Sequence, residues 1–187
     1  EHSITPPLVS AAARKHPGLS LLQIDAHADM RDAYMGTAHN HACAMRRSLE
    51  YARITQVGIR SLSTEEAEAL PRLNSTVFYD HDMRRDPKWI DTIVESLGQN
   101  VYVSIDVDGM DPAIMPATGT PEPGGLSWAE ITTLLRRTAE RRTIVAADLV
   151  ELSPIPGMVA PTFLCAKLVY KLLTYRFAKD PRVKRLR

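Results

Sequence analysis

The chain predicts an α/β fold, a three-layer α/β/α sandwich built on a mainly parallel sheet. Short apolar runs alternate with helical patterns along the chain. The runs are mostly continuous rather than alternating with polar residues, as strands covered on both faces require. No internal repeat, linker or low-complexity tract divides the 187 residues, so they read as one domain, 1–187.

The elements follow in order. Residues 5–15 form a first helix, with His2 just ahead of it. "LSLLQIDA" (19–26) is a buried strand and "HACAMRRSLEYA" (41–52) a helix. "ITQVGI" (54–59) is a second strand, and "TEEAEALPRL" (64–73) a helix that Pro71 interrupts. "TVFYD" (76–80) is a third strand and "PKWIDTIVESL" (87–97) a well-patterned helix. "VYVSIDV" (101–107) is a fourth strand, followed by an irregular segment, 108–126, rich in Pro, Gly and Thr. A loop that long inside a compact domain is usually functional. Ser127 and Glu130 form a capping box ahead of the next helix. "TIVAADLVEL" (143–152) is a fifth strand, and 160–178 a last helix with Pro161 near its first position.

Composition excludes several classes of partner. The 23 basic and 22 acidic residues leave a formal net charge of +1, which offers no electrostatic case for nucleic acid or an anionic membrane. The basic cluster 182–187 is read as a frayed terminus. Cys43 and Cys165 form no CxxC and no disulfide scaffold, and no apolar stretch is long enough to span a bilayer. A reducing cytoplasm is the expected location. The first residues, Glu1-His2-Ser3, lack a Met, and the domain is expected to have begun upstream.

Ligands of open parallel sheets bind beyond the carboxyl ends of the strands, and the acids and histidines fall there. The first strand finishes in Asp25, His27 and Asp29, whose spacing places them on one side of an extended chain. The fourth finishes in Asp106 and Asp108, the fifth in Glu151. With His2 this makes two imidazoles and four aspartates. Four neighbouring carboxylates repel one another unless cations stand between them. Imidazole and carboxylate without thiolate suit Mn, Mg, Zn or Fe, and four acids suit two ions better than one. A lone Asp at a strand end is usually a cap or turn former, and Asp111, in Asp-Pro, is read that way. Two clusters ending two strands of one sheet are not explained so.

"EHS" (1–3), "DAHAD" (25–29), "SIDVDGMDPAIMPATGTPEPGGL" (104–126) and "VELSP" (150–154) resemble the ureohydrolases, the family of arginase and agmatinase. The resemblance runs from residue 1 to about 178, and "DAYMGTAHNHACAMRR" (32–47) is more similar to agmatinases. It implies an arginase-like sheet, lacking its first strand or strands, and a centre of two Mn²⁺. It further implies His2, Asp25, Asp29 and Asp106 around one ion and His27, Asp25, Asp106 and Asp108 around the other, with Asp25 and Asp106 bridging. Glu151 would grip a guanidinium and His41, or His39, would shuttle protons. The implied reaction is agmatine to putrescine and urea, in a homo-oligomer, trimer or hexamer. Arginase or guanidinobutyrase activity is the alternative; a guanidinobutyrate would want a cation at its far end, for which Arg31 is a candidate, but Arg31 is read as a surface or salt-bridged arginine. A non-catalytic subunit and a one-zinc amidohydrolase are further alternatives.

The remaining notable residues are read as structural. His16 and His81 are surface residues, Cys43 and Cys165 buried small hydrophobes, and Trp89 and Trp128 pack on the sheet. Met30, Met35, Met110 and Met115 fill gaps in the loops.

Overall fold

The computed structural model describes residues 1–178; the basic cluster 182–187 lies outside the described residues. Among the described residues are five strands: β1 Ser20–Ile24, β2 Arg53–Ile59, β3 Ser75–Tyr79, β4 Asn100–Asp106 and β5 Thr143–Val150. They form one sheet in the order β3-β2-β1-β4-β5, every pair parallel. The helices are α1 Thr5–Lys15, α2 Ala44–Ser48, α3 Thr64–Ala69, α4 Asp80–Met83, α5 Trp89–Ser96, α6 Trp128–Arg141 and α7 Val159–Phe177.

Period-two alternation divides the strand side chains between two cores. Leu21, Ile54 and Tyr102 pack with Val9 of α1 and Met45 of α2 on one face. Leu22, Ile24, Val103 and Ile105 pack with Ile93 of α5, Leu134 of α6 and Leu168 of α7 on the other. Burial on both faces explains the continuous apolar runs of β1, β2 and β4, whereas β3 and β5, at the ends of the sheet order, are only partly buried. The α3 and α6 capping boxes are both formed, Ser63 with Glu66 and Ser127 with Glu130.

Several expected elements are changed. The helix expected over 41–52 is a 3-10 turn, His41–Cys43, followed by α2. Asn40 caps the turn through its side chain, and Cys43, at φ −115° and ψ 0°, breaks the ladder between the two. The helix expected over 64–73 is α-helical only to Ala69. Pro71 has no N–H to continue it, and the chain tightens into a 3-10 turn, Leu70–Arg72. Helix α4 was not foreseen. Met30, Met110 and Met115 are buried, but Met35 is 81% exposed and fills nothing. Cys43 and Cys165 are buried, as expected.

The sheet order creates the feature that matters most. From β1 the chain moves outward through β2 to β3, then returns to lay β4 on the opposite side of β1. The direction of winding reverses between β1 and β4, which opens a crevice at their carboxyl ends. Ile24 is in register with Ile105, so Asp25 and Asp106 emerge side by side. At the far side, β5 is paired along one edge only among the described residues. Nearby, α7 leaves Phe163 and Tyr170 exposed.

A candidate metal centre at the carboxyl edge of the sheet

His2 sits in a 3-10 turn, His2–Ile4, and is fully buried. Its Nδ1 lies 2.9 Å from Asp29 Oδ2, 3.3 Å from Asp25 Oδ2 and 3.4 Å from Asp106 Oδ2. His27 Nδ1 lies 3.0 Å from Asp108 Oδ2 and 3.6 Å from Asp25 Oδ1. Two ligand groups result, His2–Asp25–Asp106 and Asp25–His27–Asp108. Asp25 belongs to both, one oxygen toward each histidine. Asp106 turns Oδ2 to His2, while its Oδ1 accepts the Asp108 N–H at 3.0 Å.

The route by which Asp25, His27 and Asp29 converge corrects the expectation of an extended chain. β1 ends at Ile24, and Asp29 lies in the left-handed region at φ 53°. Its carbonyl accepts the Met45 and Arg46 N–H groups at 3.0 and 3.1 Å, which holds that strained conformation against the start of α2. As a result Asp29 joins Asp25 at His2, while His27 turns to Asp108.

These residues fit a cation. Asp148 Oδ1 takes the Ser104 hydroxyl proton at 2.7 Å, so Ser104 Oγ faces His2 Nε2, at 2.9 Å, as an acceptor. His2 Nε2 is then the N–H, and in the neutral ring Nδ1 is a lone pair. That buried Nδ1 has no hydrogen-bond partner although three carboxylate oxygens surround it. One lone pair and three acceptors aimed at one point call for a positive charge.

The titration behaviour says the same. Burial works against a charged His2, yet Asp106, Asp25 and Asp29 raise its pKa well above the usual imidazole value. Burial likewise opposes charge on His27, but Asp108 and Asp25 raise its pKa to about 11. Burial and the Asp25 charge raise Asp29 to about 7 and also raise Asp106 and Asp108. Burial pushes Asp25 up too, but His2 and His27 outweigh it and hold that carboxyl below the ordinary range. A proton or a divalent cation satisfies such a site, and the two compete.

Buried polar chains, not foreseen from the sequence, orient the ligands. Gln23 Nε2 donates to Asp25 Oδ2 at 2.7 Å, and Gln56 Nε2 to Gln23 Oε1 at 2.6 Å. Asp148 also accepts from Thr5 Oγ1 at 2.8 Å and Tyr102 OH at 2.7 Å. The available signal was a polar residue inside an apolar strand: Gln23, Gln56, Ser104 and Asp148. Arg60 was also missed. Its guanidinium donates to the carbonyls of Asp108 (2.8 Å), Glu122 (2.8 Å) and Pro123 (2.9 Å), fastening the loop 108–126 to the end of β2. Arg60→Met should strand these acceptors and destabilise the fold by about 2–3 kcal/mol. A denaturant melt followed by Trp fluorescence measures it, and an unchanged midpoint refutes the anchor.

The ligands open onto a cavity of about 460 Å³. His41, Glu151, Arg31, Tyr34 and Glu66 line it as well, and His39 does not. Glu151 follows β5 at φ 64°, with Oε1 accepting the His2 backbone N–H at 2.6 Å. Arg31 pairs with Glu66 at 3.8 Å. Asp111 stays outside the cavity and accepts the Ala113 N–H at 2.8 Å, the turn role expected of it.

The profile of the Arginase family matches residues 1–174. The chain belongs to the arginase family. An N(1)-aminopropylagmatine ureohydrolase of Synechocystis is 44% identical over 178 residues, 94% of this chain and 58% of the relative. An agmatinase of Pyrococcus horikoshii is 36% identical, covering 92% of this chain and 59% of the relative. The crystal structure of the agmatine ureohydrolase of Thermoplasma volcanium superposes with a TM-score of 0.83 at 37% identity, over 97% of this chain and 62% of that one. The chain thus spans about 58% of the length of curated relatives that it matches. The parallel sheet and flanking helices are those of arginase-like folds.

Proposed function

We propose that this domain, residues 1–187, carries the site of a two-cation ureohydrolase that cleaves a guanidinium group to urea and an amine. Agmatine is the proposed substrate, with putrescine as the amine, and Mn²⁺ the proposed metal. The observation that supports this most is the paired geometry around Asp25, with an orphaned imidazole lone pair on one side and His27–Asp108 on the other. His2, Asp25, Asp29 and Asp106 would hold one ion; His27, Asp25, Asp106 and Asp108 the other. When bound, such a pair lowers the pKa of water between the ions, making a nucleophile available near neutral pH.

The protein's own groups do the rest. Glu151, on the cavity wall, pairs with the planar guanidinium and holds its carbon toward the ligand cluster. His41 passes a proton to the departing amine nitrogen; its place on the cavity wall, which His39 does not share, supports that choice. The four aspartates balance two divalent ions. Glu151 and Glu66 then outweigh Arg31, which leaves the cavity negative and suited to a cationic substrate. That balance favours agmatine over guanidinobutyrate, whose far end is an anion. The 44% relative's name favours a second reading, agmatine extended by an aminopropyl group. A cytoplasmic homo-oligomer, trimer or hexamer, remains part of the proposal.

The test is urea release by the Mn²⁺-loaded protein from agmatine, aminopropylagmatine, arginine and guanidinobutyrate. Release from the first two should exceed release from the others. Glu151→Gln, which can still accept the His2 N–H, should lower kcat/KM by about 10²-fold with metal content unchanged. No urea from any of the four, with two ions bound, would sink the proposal and favour a non-catalytic subunit.

A further inference from the structure

The segment between Asp29 and α2 is built around one aromatic ring. Arg31 N donates to Ala42 O at 3.1 Å, closing the two ends of the segment on each other. Within it, Tyr34 and Thr37 exchange backbone hydrogen bonds of 2.9 and 3.1 Å. Met35 and Gly36, at φ 50° and 78°, make the tight turn between them. The Tyr34 ring therefore leaves a turn whose backbone is paired in both directions. The Arg31 guanidinium lies over that ring at 4.7 Å, and the ring meets His41 edge to face at 5.9 Å and 75°.

The stack is tied to the scaffold at its other end. Glu66 is buried, and its Oε1 accepts the Met30 N–H at 2.8 Å. Its Oε2 accepts the Ser63 N–H at 2.8 Å, as the capping box of α3, and lies 3.8 Å from Arg31 Nε. One carboxylate thus pins the start of the segment, the start of α3 and the arginine together. Glu66, Arg31, Tyr34 and His41 all face the same cavity. His41 itself is half-exposed, with Glu1 Oε1 3.6 Å from its Nδ1. The Tyr34 ring and the Glu1 carboxylate flank its imidazole, and of the two only the ring is itself fixed by a paired turn and a stacked guanidinium.

We propose that Tyr34, clamped by Arg31 and Glu66, is a positioning residue that sets the orientation of the His41 imidazole in the cavity. Arg31 serves the clamp and does not bind the distal end of the substrate. A guanidinium stacked on an aromatic face and facing a buried carboxylate has two partners already. This rests on the ureohydrolase reading for its kinetic consequence, and on geometry alone for the orientation of His41.

Two measurements separate those dependencies. The first is the His41 Cε1–H resonance in the full chain loaded with Zn²⁺, which does not broaden nearby signals as Mn²⁺ does. His41→Asn assigns it. Tyr34→Phe should keep its ring-current shift; Tyr34→Leu should move it toward the position of a free imidazole. An unmoved signal in Tyr34→Leu overturns the proposal whatever the enzyme does. The second is kinetic, in the Mn²⁺-loaded protein with agmatine. Tyr34→Leu and Arg31→Met should lower kcat about tenfold or more with little change in KM, and Tyr34→Phe should restore it. A raised KM at unchanged kcat in Arg31→Met would make Arg31 a substrate contact and overturn its part. Absence of urea from the unsubstituted protein would instead fail the proposed function, and the resonance would still decide the position of His41.

Discussion

Asp108→Ala should bind one Mn²⁺ per chain instead of two and lose about 10³-fold in urea release, equivalent to about 4 kcal/mol of transition-state stabilisation. Asp108 Oδ2 is the nearer of the two carboxylate oxygens facing His27 Nδ1, at 3.0 Å against 3.6 Å for Asp25 Oδ1. Its Oδ1 accepts the Ala26 N–H at 3.1 Å, so the substitution also loosens the chain that carries His27. The His2 group, made with Asp25, Asp29 and Asp106, stays whole. Metal analysis after dialysis and a urea assay give the two readouts. Full metal content with full urea release would show the two-ion assignment to be wrong.

The same measurement has a pH arm whose sign is fixed. With a pKa raised to about 11, His27 holds a proton at neutral pH unless a cation displaces it. Loading should therefore release protons, and apparent affinity should climb as pH rises and fall in acid. Bound metal should also raise the melting temperature, by the equivalent of about 2.7 kcal/mol at 100 times Kd.

Gly109→Ala should destabilise the fold by about 3 kcal/mol or more and remove both ions. A Cβ at Gly109 would stand 2.7 Å from Asp25 N, 3.0 Å from Asp25 Cα and 3.0 Å from the Ile24 carbonyl carbon. All three are backbone atoms of the sheet's central strand and its exit, so no side chain can swing aside. The turn Val107–Gly109 would have to lift away, carrying Asp108 from His27. Gly119→Ala, whose Cβ meets nothing within 4 Å, is the stability control and should melt within about 0.5 kcal/mol of the unsubstituted chain. Equal melting of the two variants would refute the close approach.

Much of this was legible along the chain because it depends on local patterns. Continuous apolar runs mark strands buried on both faces, and β1 to β5 fall within a few residues of them. An S-x-x-E ahead of an apolar-periodic run specifies the start of α6 through two hydrogen bonds that span three residues. Clusters of acids at the ends of such runs mark candidate ligands, since a buried carboxylate needs a cation or several hydrogen-bond donors beside it. The failures are also physical. Spacing placed Asp25, His27 and Asp29 on one side, but Asp29 answers to the amides of Met45 and Arg46, residues distant in sequence.

By itself, then, the sequence determined the layered α/β class, the strands and the identities of the metal-site candidates, because periodicity, capping and desolvation cost act over a few neighbouring residues. Only the tertiary structure supplied the distances between each histidine and its carboxylates, where periodicity is mute and the family resemblance implies no more than a ligand set, and placed His41 and not His39 on the cavity wall. It also supplied Asp148, Gln23, Arg60 and the Tyr34 clamp. Those depend on the order β3-β2-β1-β4-β5, which brings residues more than 80 positions apart to within 3 Å. No local preference encodes such a juxtaposition; it exists only once the sheet has closed around β1.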